Sequence, residues 1–264
     1  MKNNYLVLVT NHTLEEKLRE ESNVTFLFPI EGFTVGFPTT FSLDEIPRNA
    51  FIFVNRILDT VGIQEFKEFI LNLPSHIQGI VFDDIGVLEV LNTIPNHLTK
   101  ILFLNHFNCN YLSINTYLNY SDSVVVSIDI TEGEVEEILK RANKPLTLYT
   151  FGYVNIMYSR RKLITNYNEH FDKHLPFISE ITNDLKQEFK IVENDYGTVI
   201  YPNEPFNGLR YRKYDHVLYH LINSLFLTDE EVINIIHSKS NLDEKYPYAY
   251  LSQEETIVRI KERS

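Results

Sequence analysis

The chain has 264 residues, a formal net charge of −12, 16 Tyr and 18 Phe but no Trp, and a single cysteine, Cys109. One cysteine excludes an intramolecular disulfide and a zinc or iron–sulfur site built on cysteines, and it favours a reducing compartment. The acidic charge argues against broad electrostatic binding to nucleic acid, although a local basic patch can still bind an anion.

The apolar runs of the chain are all short. None approaches the roughly 18–20 residues of a membrane span, and the N-terminal run lacks both the length and the cleavage site of a signal peptide. We therefore expect a cytoplasmic protein that does not interact with a membrane.

Seven apolar runs recur along the chain with helix-like segments between them. They are continuous rather than alternating, which is typical of parallel strands covered on both faces. The runs are residues 5–10, 24–29, 50–55, 77–82, 100–104, 123–128 and 146–152.

Several helices are predicted by their first residues. Capping boxes begin at Thr13, Ser42, Thr131 and Thr228, each with Glu three positions later. Segment 63–72 has apolar residues at helical spacing. The alternation of strands and helices favours either a (β/α)₈ barrel or a doubly wound sheet.

A barrel needs an eighth strand, and residues 216–222 are the candidate, although their periodicity suits a helix equally well. Before them lies a long insertion, about residues 153–215. It is predicted to contain a helix near 176–188 and a hairpin that turns at Asn194–Gly197, between runs 188–193 and 198–202. We predict one domain over residues 1–264, a TIM-type (β/α)₈ barrel, regular or distorted, with this hairpin between strands seven and eight.

Polar side chains follow the predicted strands, and in a barrel these positions meet at the C-terminal mouth. They are Asn55, Arg56, Asp83, Asp84, Asn105, His106, Asp129, the Tyr158–Lys162 cluster, His220 and Asn223.

Each of these candidates also has a structural interpretation. Asp83 and Asp84 suit an acid–base pair if their surroundings split the two pKa values, but either residue can cap the helix that begins at Ile85. His106 is a candidate base or a structural histidine, and the cationic turn of residues 160–162 is a candidate anion site or a solvated surface.

A second basic cluster, Arg210–Lys213, joins the first in one positive mouth if strands seven and eight are neighbours; otherwise the two are separate solvated clusters. The sequence contains none of three common catalytic or nucleotide-binding motifs: the serine-hydrolase elbow, the phosphate-binding loop and the dinucleotide-binding glycine motif. The histidine pairs 170/174 and 216/220 lack the metalloprotease pattern, and Cys109 near His106 is more typical of a buried thiol than of a nucleophile. We expect no metal and no cofactor.

Four stretches of the sequence resemble one family, the collagenase-like peptidases of family U32. Residues 81–88 (VFDDIGVL) are similar to its fourth-strand segment, and Asn105 to Tyr111 to its fifth. Residues 152–167 resemble its signature through Tyr158, Ser159, Arg161, Asn166 and Tyr167, and residues 41–46 resemble its capped turn.

The resemblance implies a TIM-type barrel in a family of peptidases and collagenases. Other members of the family hydroxylate the tRNA wobble uridine or ubiquinone precursors with an iron–sulfur cluster. The chain departs from the family at two cysteine positions, Asn155 and Lys162, at a histidine position, Phe151, and at a basic–acidic pair that reads Ile128-Asp129. Cluster chemistry is therefore not expected.

The resemblance implies a reduced family member that works with a related subunit. We expect a component of tRNA wobble-uridine hydroxylation that binds tRNA or a small anion, or a peptidase-like hydrolase; the alternative is a non-catalytic binding or regulatory barrel. Ser159 is the only serine of the signature, and the sequence identifies no group that activates it. The candidate catalytic residues are Asp84, Asp129 and Tyr158, and the candidate binding residues are Arg56, Asn105, His106, Ser159, Arg160 and Arg161. An open pocket between them favours chemistry, and a mouth filled by Tyr and Phe favours a scaffold.

Overall fold

The computed structural model describes residues 3–239 together with residues 245, 246 and 248. Eight parallel strands form a closed barrel, in which each strand pairs with the next and the last pairs with the first. They are β1 Tyr5–Leu8, β2 Val24–Pro29, β3 Phe51–Val54, β4 Gly79–Phe82, β5 Thr99–Leu102, β6 Ser123–Val126, β7 Thr147–Gly152 and β13 Tyr219–Asn223. The predicted TIM-type barrel is confirmed.

Strands form at the apolar runs because both faces of each run are covered. All residues of β1, β3, β4, β6 and β7 are buried. The ambiguous run before residue 223 is a strand, although β13 begins at Tyr219 rather than at residue 216. Its neighbours β7 and β1 supply the parallel partners that decide against a helix.

Helices cover the outside of the barrel: α1 His12–Leu18, α2 Thr60–Leu71, α3 Ile85–Thr93, α4 Tyr111–Leu118, α5 Glu132–Arg141, α6 Leu163–Phe171 and α7 Asp229–Ile236. The boxes at Ser42, Thr131 and Thr228 are confirmed, the first on a short 3₁₀ turn. The box at Thr13 is wrong, because the N-cap of α1 is Asn11, two residues earlier, and its side chain accepts from the backbone N–H of Leu14.

The insertion between β7 and β13 forms a second, antiparallel sheet with the order β8-β11-β10-β9. Its strands are β8 Met157–Ser159, β9 Ile178–Thr182, β10 Glu188–Asn194 and β11 Gly197–Pro202; the short β12 Phe206–Asn207 joins the barrel at β7. The predicted hairpin is confirmed, with Asn194 opposite Gly197.

The predicted helix near 176–188 is wrong. Residues 178–182 form strand β9, and their side chains alternate between exposed and partly covered positions, the period of a strand rather than of a helix. The helix of the insertion is α6, which begins directly after the cationic turn.

The second sheet packs on the C-terminal end of the barrel. The hydroxyl of Tyr201 donates to the carbonyl of Gly36 at 2.8 Å, and the amide of Asn194 donates to the carbonyl of Thr34 at 3.0 Å. Both acceptors lie in the loop between β2 and β3, so the sheet is anchored on one side of the mouth. None of the helices in the described part of the chain is long and apolar enough to span a bilayer.

Candidate functional site

The centre of the barrel mouth is filled by aromatic side chains. The space left between them is a cavity of about 20 Å³, which has room for about one water molecule. Its aromatic lining is Phe37, Phe53, Phe103, Tyr149, Tyr153 and Tyr201. A substrate therefore finds no room on the barrel axis, where β/α-barrel enzymes usually bind it.

The tyrosines of this plug are held in place by hydrogen bonds. The Tyr149 hydroxyl donates to the carbonyl of Tyr153 at 2.9 Å, and the Asn223 amide donates to the same carbonyl at 2.8 Å. Burial raises the pKa of Tyr149 and of Tyr201, and it raises that of Tyr153 to about 12. The phenols are therefore neutral at neutral pH, and the hydroxyls of Tyr149 and Tyr201 donate hydrogen bonds to backbone carbonyls that hold the plug in place.

Asp84, the predicted acid–base group, accepts hydrogen bonds from two backbone N–H groups. Its Oδ1 accepts from the N–H of Gly86 at 2.6 Å, and its Oδ2 accepts from the N–H of Leu58 at 2.9 Å. The first bond caps α3, and the second ties the loop after β3 to the loop after β4. The structure thus gives Asp84 the helix-capping role that the sequence left open.

Asp83 has a different environment. Part of the residue reaches solvent, but its Oδ1 is buried and has no hydrogen-bond partner among the described residues. Desolvation, and secondarily the charge of Asp84, raises the pKa of the Asp83 carboxyl well above its usual range. The sequence proposed that the environment separates these two carboxyls, and the group with the raised pKa is Asp83.

His106 is fixed between two acceptors. Its Nδ1 contacts Oδ2 of Asp129, and its Nε2 lies 3.0 Å from the carbonyl oxygen of Asn155. The hydrogen bond to Asp129 is the main cause that raises the pKa of His106 above its ordinary 6.5. A carbonyl and a carboxylate both require a donor, so both contacts are satisfied only when each ring nitrogen carries a proton, and in that state the ring has no lone pair with which to act as a base.

Tyr158 and Ser159, the hydroxyl candidates of the signature, are also engaged. The Tyr158 hydroxyl donates to the carbonyl of Tyr196 at 3.4 Å, and burial is the main cause that raises its pKa. The Ser159 hydroxyl accepts from the backbone N–H of Arg161 at 3.1 Å, within the turn that leads into α6. We see no group that would activate either oxygen as a nucleophile.

The predicted anion-binding arginines divide into paired and unpaired groups. Arg56 stacks over the Tyr196 ring at 4.3 Å and donates to the carbonyl of Gly32 at 2.8 Å. Arg160 forms an ion pair with Asp59 at 2.6 Å. Arg161 is exposed and makes no ion pair within the part of the chain that the structure describes.

The second basic cluster has other partners. Arg210 and Lys213 pair with Glu132 at 3.1 and 3.0 Å, at the start of α5. These contacts give the two clusters separate partners, rather than the single positive mouth that the sequence allowed. Asn105 lies in the left-handed region with φ of 48°, so it turns the chain immediately before His106.

The histidines and the cysteine do not form a metal centre. His220 is buried in the barrel beside Thr150 and the carbonyl of Tyr214, and burial lowers its pKa to about 4. Cys109 donates to the carbonyl of His106 at 3.0 Å. Among the described residues, no group of three His, Cys, Asp or Glu side chains is arranged to hold a metal ion.

Sequence reasoning missed Glu193, the buried carboxylate of β10. It accepts from the backbone N–H groups of Ile164 and Thr165, at 2.6 and 3.1 Å, and from the Thr198 hydroxyl at 2.8 Å. It therefore caps α6, whose own N-cap residue, Lys162, has no side-chain oxygen. No local motif reports this contact, because 29 residues separate Glu193 from Ile164.

Comparison with known proteins finds no sequence match and two solved structures with a similar fold. No protein-family model matches the chain, and no curated protein matches it by sequence. Among solved structures, the chain is similar to the U32 peptidase Mk0906, with a TM-score of 0.49, 14% identity, and coverage of 84% of this chain and 92% of that one. It is also similar to the spore cortex-lytic enzyme SleL of Bacillus cereus, with a TM-score of 0.42, 9% identity, and coverage of 90% and 74%. The barrel assignment rests on the strand pairing itself, and neither likeness adds information about activity.

Proposed function

We propose that the chain is a non-catalytic β/α barrel that binds a protein partner at its C-terminal end. The observation that carries this proposal is that the candidate catalytic groups are used to hold the mouth together. Asp84 accepts two backbone N–H groups, Asp129 holds His106, and Tyr158 donates to a carbonyl. Together with the aromatic plug, these bonds leave no predicted catalytic group free beside a substrate-sized pocket.

The surface around the plug is suited to binding a protein. Four apolar side chains follow the ends of different strands and are exposed: Ile57 by 49%, Ile85 by 48%, Phe107 by 78% and Ile156 by 49%. With the unpaired Arg161 they make up what we call the rim surface. Arginine is enriched in protein interfaces, and exposed apolar side chains around one rim can contribute to such a surface.

The loops that carry the rim surface are joined by hydrogen bonds. Leu58 bonds to Asp84, and His106 bonds to Asn155, so the loops after β3 and β4 are tied together, as are those after β5 and β7. A surface that is fixed before binding loses little entropy when a partner docks. A related barrel subunit is the partner that the sequence resemblance implies, and Arg161 would face an acidic group on it.

Binding of tRNA as the main activity has weaker support. Arg160, Lys162, Arg210 and Lys213 are paired with carboxylates, and the chain carries a net charge of −12. Each paired cation must break an ion pair before it can neutralise a phosphate. The exposed part of the mouth combines apolar side chains with cations that are mostly paired.

Photo-crosslinking in cells tests the proposed function. A benzoylphenylalanine at position 107 should give a covalent adduct with one protein, and Arg161→Glu should reduce its yield. The same probe at Leu71, which is exposed by 68% at the far end of α2, is the matched control. Equal adducts at both positions, or none at position 107, would rule out the rim surface as the binding site.

One observation favours a second candidate, a hydrolase-type acid–base activity. Asp83 is a desolvated carboxyl with a raised pKa at a strand end, and such groups serve as general acids in enzymes. Its test is cleavage of a peptide library by the purified chain. Cleavage that Asp83→Asn abolishes would support this candidate; cleavage that persists in Asp83→Asn would exclude it.

A further inference from the structure

The antiparallel sheet of the insertion has an open edge at β9. This strand pairs with β10 on one side, and in the described part of the chain no strand pairs with it on the other. Natural proteins usually protect such edges with proline, a bulge or charged side chains, lysine above all. The sequence of β9, ISEIT, has neither proline nor lysine, its one charged residue is Glu180, and its register with β10 is uninterrupted.

The hydrogen bonds of the sheet show which backbone groups face outward. The N–H of Glu193 donates to the carbonyl of Phe177 at 2.8 Å, so these residues form a hydrogen-bonded pair. Because bonded and non-bonded pairs alternate along an antiparallel ladder, Ser179 and Ile181 also bond to β10. The N–H and C=O groups of Ile178, Glu180 and Thr182 therefore point away from the sheet.

Two grooves lie beside this edge, and Ile178 borders both of them. The larger, of about 420 Å³, is bordered by Phe177 and Glu193, and Phe37 and Pro38 form part of its apolar wall. The smaller, of about 290 Å³, is bordered by the pair Glu180 and Lys190 and by Phe226. The two bordering pairs are three residues apart along the ladder, so they lie on opposite faces. A strand laid against β9 would place its side chains beside both grooves.

The charges of the edge select the occupant. Glu180 is the one charged residue of β9, and its side chain is 74% exposed although it contacts Lys190 at 3.1 Å. A second copy of the chain paired about this point would set Glu180 against Glu180, which is unfavourable. Lys190 contacts Oε1 of Glu180, so a Lys or Arg on an added strand can contact Oε2 without breaking that ion pair. A net charge of −12 also favours a basic segment over a second copy.

We propose that the outer edge of β9 binds an extended, basic segment of a partner protein as an additional strand, with an apolar side chain in the larger groove and Lys or Arg opposite Glu180. Main-chain hydrogen bonds supply affinity in this mode, and the two grooves supply specificity. This site uses residues other than those of the rim surface. The proposal can therefore fail while the proposed function holds, and the reverse is also true.

Selection from a phage-displayed library of random peptides of about ten residues, with the full chain as bait, tests the proposal. We expect enriched peptides with alternating apolar residues and a central Lys or Arg. Glu180→Pro removes an outward N–H without removing a bond to β10, and it should weaken the enriched peptide about tenfold or more. Glu180→Ala keeps the N–H and should weaken it about threefold.

Circular dichroism would detect misfolding of Glu180→Pro. A variant that leaves the backbone intact provides an independent test. Glu180→Lys should reject the basic peptide and select acidic ones. Three results would overturn the proposal: enriched peptides that bind all three variants as they bind the wild type, a wild-type dimer that Glu180→Lys dissociates, or displacement of the peptide by a synthetic copy of residues 249–264. The last two results would identify the occupant as a second copy or as the chain itself.

Discussion

His106 and Asp129 form an ion pair that joins the loops after β5 and β6 at the mouth of the barrel. The carbonyl of Asn155, after β7, binds the second nitrogen of the same ring. One imidazole therefore connects three consecutive loops. The folded structure raises the pKa of this ring, which makes the pair a source of pH-dependent stability.

Asp129→Asn should reduce the pH dependence of the free energy of unfolding. The folded-state pKa of His106 is raised above its ordinary 6.5, so its stabilisation is complete below that pH and is lost as the pH rises through the folded-state pKa. Both side chains are more than a third exposed, so we expect a loss of only about 0.5 kcal/mol in acid and less in alkali.

Urea unfolding at pH 5.5 and pH 9 would measure this difference. Asp44→Asn replaces an exposed carboxylate on the turn before β3 and serves as control, because it should shift both values equally. A larger loss for Asp129→Asn at pH 9 than at pH 5.5 would show that His106 is not held as a cation.

The neighbouring residues Asp83 and Asp84 should respond to substitution in opposite directions. Asp84→Asn loses an acceptor for the α3 cap, and we expect a loss of about 1 kcal/mol at pH 7. Asp83→Asn removes a desolvated charge, and because the folded-state pKa is raised, its unfavourable contribution grows as the pH rises above the ordinary value of 3.8. A gain of roughly 1 kcal/mol at pH 7 is expected. The two variants are matched controls for each other in the same denaturation experiment, and destabilisation by both would contradict the assignment.

Glu193 should be among the buried positions of the insertion that are most sensitive to substitution. Glu193→Ala leaves the first amides of α6 and the Thr198 hydroxyl without their acceptor, and we expect a loss of about 3 kcal/mol. Glu188→Ala, on the same strand but exposed, should change stability by less than about 0.5 kcal/mol. Thermal unfolding followed at 222 nm compares them, and equal effects would refute the capping role.

Gly36 should resist replacement because the second sheet lies against it. Its φ is 80°, and a Cβ would lie 2.6 Å from Cγ2 of Val199 and 2.7 Å from the Tyr201 hydroxyl. Gly36→Ala should cost about 2 kcal/mol, whereas Gly133→Ala, which meets nothing closer than 4.0 Å, should be neutral or stabilising. Chemical denaturation would order the two variants; a stable Gly36→Ala would mean that the sheet packs less tightly there.

Local patterns in the sequence located seven of the eight barrel strands and left the eighth ambiguous. Continuous apolar runs locate its strands, and the caps at Thr131 and Thr228 depend on contacts three residues apart, which the sequence displays directly. The strand-end rule also placed His106 and Asp129 at the mouth. It could not show that they touch, because that contact depends on the conformations of two loops.

Local sequence patterns could not predict contacts between distant segments of the chain. The cap of α6 comes from Glu193 on another strand, and the aromatic plug combines Phe37 with Tyr201, which are far apart along the chain. The alternation in β9 was readable, but the helix prediction over 176–188 overlooked it. The candidate site residues were therefore easier to locate than their roles, because a role depends on which hydrogen bonds the fold has already used.

Complementation of a deletion strain tests the central claim most directly, with growth competition against the parent strain as the readout. A chain carrying Asp129→Asn and Tyr158→Phe should restore fitness, because the account gives these groups a structural role and the substitutions preserve their shape. A chain carrying Phe107→Asp and Arg161→Glu, shown to be folded and equally abundant, should fail because the rim surface is lost. The opposite pattern, failure of the first chain and success of the second, would contradict the account and indicate catalysis at the mouth.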